Sequence, residues 1–466
     1  MNLTFLRYAV EVEKTGSISL AARNLYLGQP NVSKAIKELE LSLGVAIFKR
    51  TPRGVIPTPK GEEFLHYARS ILSQIDELEG MFREEKAERA AFHVVVPHAE
   101  YITSAFARMT VCADECREVD MSLQEASAMA PVALLNPQPG ERICDLCAAP
   151  GGKSTQIAGR LMGQGLLLCN EINPKRAKIL SRNIERMAVS NALVLNHHPK
   201  DLERHFEGCF DRVLVDAPCS GEGMFRKEEA AVTDWSEETV NMCAERQAQI
   251  LATAARLLRK GGRLVYSTCT FAPAEDEGAV TEFLRTHPDF SIEAVEAPAL
   301  SPGRPDCIPD PAPGIEHTFR LWPHHQKGEG HYAAVLRKQG DEESALSPSK
   351  ADKLPREWTD FAKSMGITLP AGKPALFGST LWWLPEEAPE LKGLKVLRPG
   401  LELGEVKKGR FEPAHALALW LKTCASVQDY APDSPEMAAY IHGDVVPSEK
   451  KGWTLVTAGG LSIGWG

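Results

Sequence analysis

The 466-residue chain has no apolar run long enough to cross a bilayer, and its amino terminus has no charged segment leading into an apolar one. The first absence excludes a spanning helix, which needs roughly twenty consecutive apolar residues. The second leaves no sign of a secretory leader. Excess positive charge is missing as well: 53 Lys and Arg against 62 Asp and Glu give a formal charge of −9. A uniformly basic nucleic-acid binder is thereby excluded. Any phosphate contact must come from local patches, because such binding answers to the nearby field rather than to total charge. The 11 cysteines are odd in number and scattered, unlike a secreted disulfide framework. Cys144 and Cys147 have CxxC spacing but lie along one apolar segment, and Cys112 and Cys116 have no second ligand pair, so no metal site is expected. By ordinary domain sizes the 466 residues make about three domains. The expectation is a cytoplasmic, multidomain chain that does not enter a membrane.

What is present is concentrated around two apolar runs, Arg212 to Val215 and Arg263 to Tyr266, which read as buried parallel strands. Each runs into a cysteine-bearing word, Asp216-Ala217-Pro218-Cys219-Ser220-Gly221 and Ser267-Thr268-Cys269-Thr270. A lone cysteine is ordinarily a small buried hydrophobe. These two stand at the carboxyl ends of predicted strands, where open α/β sheets place their ligands. Upstream, the strand Ile143 to Leu146 and the helix Lys153 to Leu161 flank Gly151 and Gly152, a turn that lets backbone approach a ligand closely. The next strand, Leu166 to Cys169, leads to Glu171, an acid placed to accept hydrogen bonds from ribose hydroxyls. Helical spacing over Asn173 to Ala188, and a Ser236-capped helix through Leu258 with Glu237 and Glu238 in its first turn, complete a doubly wound α/β pattern. A last apolar strand is predicted at Ala333 to Leu336.

These words, with Asp145-Leu146-Cys147-Ala148-Ala149-Pro150-Gly151-Gly152-Lys153-Ser154, resemble the Nop/Sun family of S-adenosylmethionine-dependent RNA cytosine-5 methyltransferases over roughly residues 119 to 466. The resemblance implies a Rossmann-like class I methyltransferase domain. It places S-adenosylmethionine against Cys147, Ala148, Ala149, Pro150, Gly151, Gly152, Lys153, Glu171 and Asp216. It gives Cys269 the attack on carbon 6 of cytosine, Cys219 the base-assisted release of product, and Asp216 a hydrogen bond to ring nitrogen 3 and the amino group. The chemistry accounts for a thiol: carbon 5 is a poor nucleophile until a thiolate on carbon 6 makes it enamine-like. Because a free thiol is only a few per cent ionised at neutral pH, the site must lower the Cys269 pKa or take its proton. Where many relatives have an aspartate after the third strand (Leu193 to Leu195), this chain has Asn196-His197-His198-Pro199-Lys200-Asp201, with Asp201 as the candidate substitute and the histidines read as solvated surface. Ala274-Glu275-Asp276-Glu277 is similar to an acidic cluster of relatives and also reads as a solvated helix start. Leu321-Trp322-Pro323-His324-His325 and Gly328-Glu329-Gly330-His331-Tyr332 suit either a loop facing nucleic acid or simple packing.

Two further blocks flank the catalytic pattern. Leu391 to Gly400 and Glu405 to Phe411 alternate apolar and basic residues, and with Glu412 to Leu419 they resemble the small β-rich, PUA-like module of bacterial members that modify small-subunit ribosomal RNA. Relatives continue past the position of Gly466, so this module reads as truncated. At the other end, Gly16 to Leu25 and Gln29 to Glu40 resemble the helix-turn-helix of LysR-type regulators, with Ser33, Lys34 and Lys37 on the outer side of a recognition helix. Lys49, Arg50 and Arg53 lie at the wing, and Leu65, Ala68, Ile71, Leu72, Ile75 and Leu78 form a stripe suited to a dimer seam. The expected division is a winged helix at 1–60, a dimerisation helix at 61–90, and an effector-domain remnant and fusion junction at 91–118. The methyltransferase domain follows at 119–340, a linker and connecting region at 341–390 and the truncated RNA-binding module at 391–466. The leading expectation is cytosine-5 methylation of RNA, with 16S ribosomal RNA as the substrate. Possible duplex DNA binding through the winged helix and homodimer formation through residues 62–89 accompany it. The alternative is a DNA-binding regulator whose methyltransferase half is vestigial or only senses cofactor.

Overall fold

The computed structural model describes residues 3–24, 29–51, 54–68 without 63 and 66, 126–226, 229–325, 328–341 and 349–466. It divides into two units, Met1–His93 and Val94–Gly466. No helix among the described residues is long and apolar enough to cross a membrane.

In the first unit three helices, Leu3–Thr15, Ile18–Asn24 and Gln29–Leu43, precede a hairpin of β1 (Phe48–Thr51) and β2 (Gly54–Pro57). Leu6, Ala9 and Val12 recur at helical spacing on one face and bury against Ala21, Ala22, Val32, Ile36 and Leu39. Glu40 Oε1 accepts the backbone N–H groups of Ile47 and Phe48 at 2.8 and 3.0 Å, tying the third helix to the wing. Leu65 and Ala68, expected in a dimer seam, belong instead to this core at 0% and 1% exposure. Ile71, Leu72, Ile75, Leu78, Arg53, the rest of the dimerisation helix and the junction at 91–118 lie outside the described residues.

The second unit is built on one large sheet. Its parallel centre comprises β3 (Arg142–Asp145), β4 (Leu166–Asn170), β5 (Ala192–Leu195), β6 (Phe210–Asp216) and β7 (Leu258–Thr268), in the spatial order β5-β4-β3-β6-β7. Helices Gly152–Leu161, Pro174–Arg186 and Glu237–Leu257 make the crossovers that parallel strands require. With apolar cores on both faces, β4 and β5 are buried at every position, which is why they read as unbroken apolar runs. The antiparallel strands β8 (Phe290–Ile292), β9 (Ser301–Pro302), β10 (Phe319–Leu321) and β11 (His331–Lys338) extend the sheet beyond β7. Strand order reverses between β3 and β6, so the crevice for ligands opens over their carboxyl ends.

The carboxyl-terminal module corrects the expected linker at 341–390. Residues 342–348 are outside the described set, but a helix at Arg356–Met365 and the hairpin of β12 (Gly372–Phe377) and β13 (Thr380–Pro385) fill the rest. This hairpin continues the sheet of β15 (Leu401–Lys407) and β16 (Arg410–Pro413), and Trp358 packs in its core with Leu381, Leu401 and Phe411. A second sheet of β17 (Val427–Tyr430), β18 (Leu455–Ala458) and β19 (Leu461–Trp465) completes the module.

Between β13 and β15 in the chain, β14 (Val396–Arg398) leaves the module and pairs antiparallel with β5 at the edge of the large sheet. This changes the reading of the basic run. Lys395 Nζ donates to Asn196 Oδ1 at 2.5 Å, and the buried Arg398 pairs with Glu185 and lies over the Trp382 ring. Two of its cations therefore dock the module rather than standing free for phosphate. Likewise Lys407 and Arg410 pair with Glu405 and Glu412 on the β15–β16 hairpin.

Candidate active site

Register and loop length bring the two cysteine words together. Asp216 on β6 is the partner of Ser267 on β7, so both chains leave the sheet side by side. Cys219 and Cys269 then stand with their Sγ atoms 3.3 Å apart, and the Cys269 N–H points to Cys219 Sγ at 3.3 Å. Both side chains are half-buried. The hydrogen bond from the Cys219 thiol lowers the Cys269 pKa, outweighing burial, and Lys153 adds to the effect. The same hydrogen bond, followed by burial, raises Cys219 well above the ordinary thiol value. The pair is thus polarised towards a Cys269 thiolate.

Asp216 is braced from two sides. Its Oδ2 accepts from Lys153 Nζ at 2.8 Å and its Oδ1 from Ser267 Oγ at 2.8 Å. Burial works against the Lys153 charge, but Asp216 outweighs it and holds the ammonium above its ordinary pKa. Lys153 therefore links the glycine turn to the thiols.

The other predicted cofactor residues surround the carboxyl ends of β3 and β4. Gly151 has φ 115°, a left-handed conformation suited to glycine, and a Cβ there would lie 3.0 Å from Leu180 Cδ1. The helix it opens has no side-chain cap, leaving its first turn suited to an anionic ligand. Ala148 N donates to Asn170 O at 2.9 Å, Ala149 O accepts from Arg176, and Pro150 O accepts from Asn183, so the turn is held by its neighbours. Glu171 is 3% exposed, with Oε1 accepting Asn173 N at 2.8 Å and Oε2 3.5 Å from Arg176 Nη1. Burial pushes Asp145 up to about 7 against the opposing hydrogen bond from Ser154, and its Oδ1 is buried with no hydrogen-bond partner. An orphan carboxylate oxygen, an uncapped helix start and a buried acid after the second strand fit S-adenosylmethionine. Burial also raises the Cys144 and Cys147 thiols, keeping them neutral.

The segment after the third strand is not solvated surface throughout. Asn196 is buried, and its Nδ2 donates to Glu171 O and Ile172 O at 2.8 and 2.9 Å, steadying the acidic turn. His197 Nε2 accepts Lys395 N at 2.6 Å, and His197 O accepts from Asn170. His198 and Asp201 sit on a short turn, Asp201 with its side chain 57% exposed and 3.9 Å from His197 Nδ1. Ala274 to Glu277 is likewise no solvated helix start: Glu275, Asp276 and Glu277 are each 0% exposed. Glu277 and Asp276 meet the buried guanidinium of Arg320, at 2.5 and 3.2 Å from Nη2. Burial raises the Asp276 pKa well above the carboxylate range, with Arg320 opposing. In the following loops, Trp322 stacks on Phe271 with centroids 5.2 Å apart, His331 and Tyr332 are buried, and His324 and His325 are exposed.

Several contributors have little or no local sequence signal. Gly223 N donates to Cys269 O at 2.9 Å, and a Cβ on Gly223 would fall 2.3 Å from Gly330 O, so only glycine permits this contact. Glu222 Oε2 accepts Phe271 N at 3.0 Å. Gln247 did leave a trace: it is a polar residue within the buried stripe Cys243, Gln247, Ile250, Leu251, Ala254 of its helix.

Paired thiols and a glycine turn over the switch point of a doubly wound sheet define a class I methyltransferase. The chain belongs to the RsmB/F family of 16S rRNA methyltransferases, whose members use S-adenosylmethionine: residues 132–337 match that family. Residues 360–421 match the RsmF rRNA methyltransferase first C-terminal domain, and residues 3–62 the bacterial regulatory helix-turn-helix proteins of the lysR family. Ribosomal RNA small subunit methyltransferase F of Shewanella piezotolerans is 31% identical over 362 residues, 73% of this chain and 75% of that protein. The Erwinia tasmaniensis protein of the same name is 33% identical over 341 residues, 70% of each. Among solved structures, NSun6 from Pyrococcus horikoshii with SFG is similar at 27% identity and a TM-score of 0.42, covering 48% of this chain and 57% of that one.

Proposed function

We propose that this chain methylates carbon 5 of cytosine in small-subunit ribosomal RNA, in the cytoplasm, through a covalent bond between Cys269 Sγ and carbon 6. The observation that carries this reading is the 3.3 Å approach of Cys219 and Cys269 beside the Lys153–Asp216 pair. S-adenosylmethionine, held by the 147–153 turn and Glu171, supplies the methyl group. Asp216 orients the base by accepting from its amino group and meeting ring nitrogen 3, while Lys153 and Ser267 hold that carboxylate in place. Cys269 adds to carbon 6, which makes carbon 5 nucleophilic. With Cys269 bonded to carbon 6, the hydrogen bond that keeps Cys219 protonated is gone; after methylation Cys219, its proton released to solvent, accepts the carbon 5 proton as thiolate. The electrons of that C–H bond restore the ring double bond as the carbon 6–sulfur bond breaks, returning Cys269 as thiolate. Cys269→Ala should abolish methyl transfer and form no adduct, whereas Cys219→Ala should accumulate a stable protein–RNA adduct. The opposite pattern on a denaturing gel would reverse the two roles.

The amino-terminal unit supports a second activity, binding of duplex DNA. Residues 3–62 carry the lysR-type match, and Lys34 and Lys37 stand exposed on the Gln29–Leu43 helix. Phosphate contacts release counterions, so binding of the full chain to mixed-sequence duplex should fall steeply between about 50 and 200 mM salt. Failure to shift duplex at low salt, or an unchanged shift in Lys34→Ala/Lys37→Ala, would count against it. Self-association through residues 62–89 is read out by sedimentation of the same chain. The regulator alternative stands only if DNA binding persists and the Cys269 chemistry is absent.

A further inference from the structure

The loops bearing the two thiols are braced by different groups. Cys269 is held through its carbonyl by Gly223 N, and the next turn through Phe271 N by Glu222. The Cys219 turn is held from the opposite side. Glu275 Oε2 accepts Ser220 N at 3.1 Å and Gln247 Nε2 at 2.7 Å, while Gln247 Nε2 also donates to Pro218 O at 3.0 Å. The residues immediately before and after Cys219 are thus gripped by one buried pair. Glu275 and Gln247 are each 0% exposed, and the Glu275 backbone is anchored where its carbonyl accepts Tyr266 OH at 2.6 Å. Ser220 Oγ to Thr270 Oγ1 at 2.8 Å ties the two words together, beside the Asp216–Ser267 bond and the thiol pair.

Resting on the two-thiol reading above, we infer that Glu275, with Gln247, is a positioning residue for product release: it aims Cys219 while leaving the placement of Cys269 to Glu222 and Gly223. Removing the carboxylate leaves Ser220 N and Gln247 Nε2 without their acceptor, and the turn is free to shift. Because misplacement by about 1 Å can cost on the order of a hundredfold in rate, the effect falls on the step that needs Cys219. Adduct formation through Cys269 proceeds.

The test is single-turnover kinetics on unmodified ribosomal RNA with S-adenosylmethionine, following both the protein–RNA adduct and free methylated product. Glu275→Ala should form adduct within about threefold of the parent rate and release product on the order of a hundredfold more slowly, so that adduct accumulates. Glu275→Gln, which keeps an acceptor for Ser220 N, should recover most of the release rate. Gln247→Leu, close in volume, tests the same turn from the helix side and should show the same split more weakly; it serves if Glu275→Ala fails to fold. Equal loss of formation and release in both variants, or parental release in both, overturns the inference. If Cys219→Ala itself traps no adduct, the two-thiol reading fails and this inference falls with it. If Cys219→Ala traps adduct and neither variant does, only the role of Glu275 and Gln247 is lost.

Discussion

Replacing Arg320 by Met should destabilise the catalytic unit through the charges it leaves behind. The guanidinium is 2% exposed and donates to Glu277 through Nε and Nη2 at 2.7 and 2.5 Å, with Asp276 Oδ2 at 3.2 Å and Phe271 O at 3.3 Å. Methionine fills much of the stem volume but leaves two fully buried carboxyl groups without their cation. Breaking a buried pair from one side costs about 3–5 kcal/mol. That is a large share of the roughly 5–15 kcal/mol that holds a domain together. At about 2–4 °C per kcal/mol for a domain of this size, the melting midpoint should fall by roughly 6–20 °C. The pH dependence identifies the mechanism. In the variant Asp276, already raised by burial, loses the cation that opposes the rise, so the folded chain binds more protons and stability should recover as pH falls from 7 towards 5. Thermal unfolding of parent and variant across that range reads both effects. A loss below about 1 kcal/mol, or a deficit that does not shrink on acidification, would refute the account of a buried charge cluster.

Three other outcomes follow from the same geometry. Iodoacetamide should alkylate Cys269 with a pH midpoint below the ordinary thiol value of about 8.5, and Cys219→Ala should move that midpoint upward by removing the hydrogen bond that favours the thiolate; peptide mapping across a pH series checks it. Glu171→Ala should weaken S-adenosylhomocysteine binding about ten- to a hundredfold by calorimetry, the worth of a charge-assisted acceptor for ribose hydroxyls, and unchanged affinity would remove Glu171 from the site. Burial holds the His197 pKa below its ordinary value while Nε2 accepts Lys395 N, so its contribution to docking of the module is complete above about pH 6.5 and lost as pH falls through that value towards the folded pKa. Urea unfolding of parent and His197→Phe over pH 5–8 should show the slope only in the parent.

Local words carried the chemistry of this chain. Cys219, Cys269 and the Gly151-Gly152 turn each sit next to the strand that presents them, and a buried parallel strand announces itself as an unbroken apolar run because both its faces are covered. The helix start at Ser236 was legible for the same reason: a cap acts on an N–H group three residues away. What depends on distant partners was not legible. Arg320 makes Glu277 a buried ion pair rather than a solvated helix start, and the two are 43 residues apart. Gly223 is obligatory because the Gly330 and Cys269 backbones lie against it. The linker expected at 341–390 failed because Trp358 and the β12–β13 hairpin find their apolar faces in strands and helices later in the chain. Lys395 and Arg398 looked like free cations until β14 crossed to β5 and matched them with Asn196 and Glu185, about two hundred residues upstream. The sequence by itself determined which groups could react, since thiols, carboxylates and strand ends are local properties. Tertiary structure alone decided which charges are neutralised and which turns are held, because burial and pairing exist only once distant segments exclude water together.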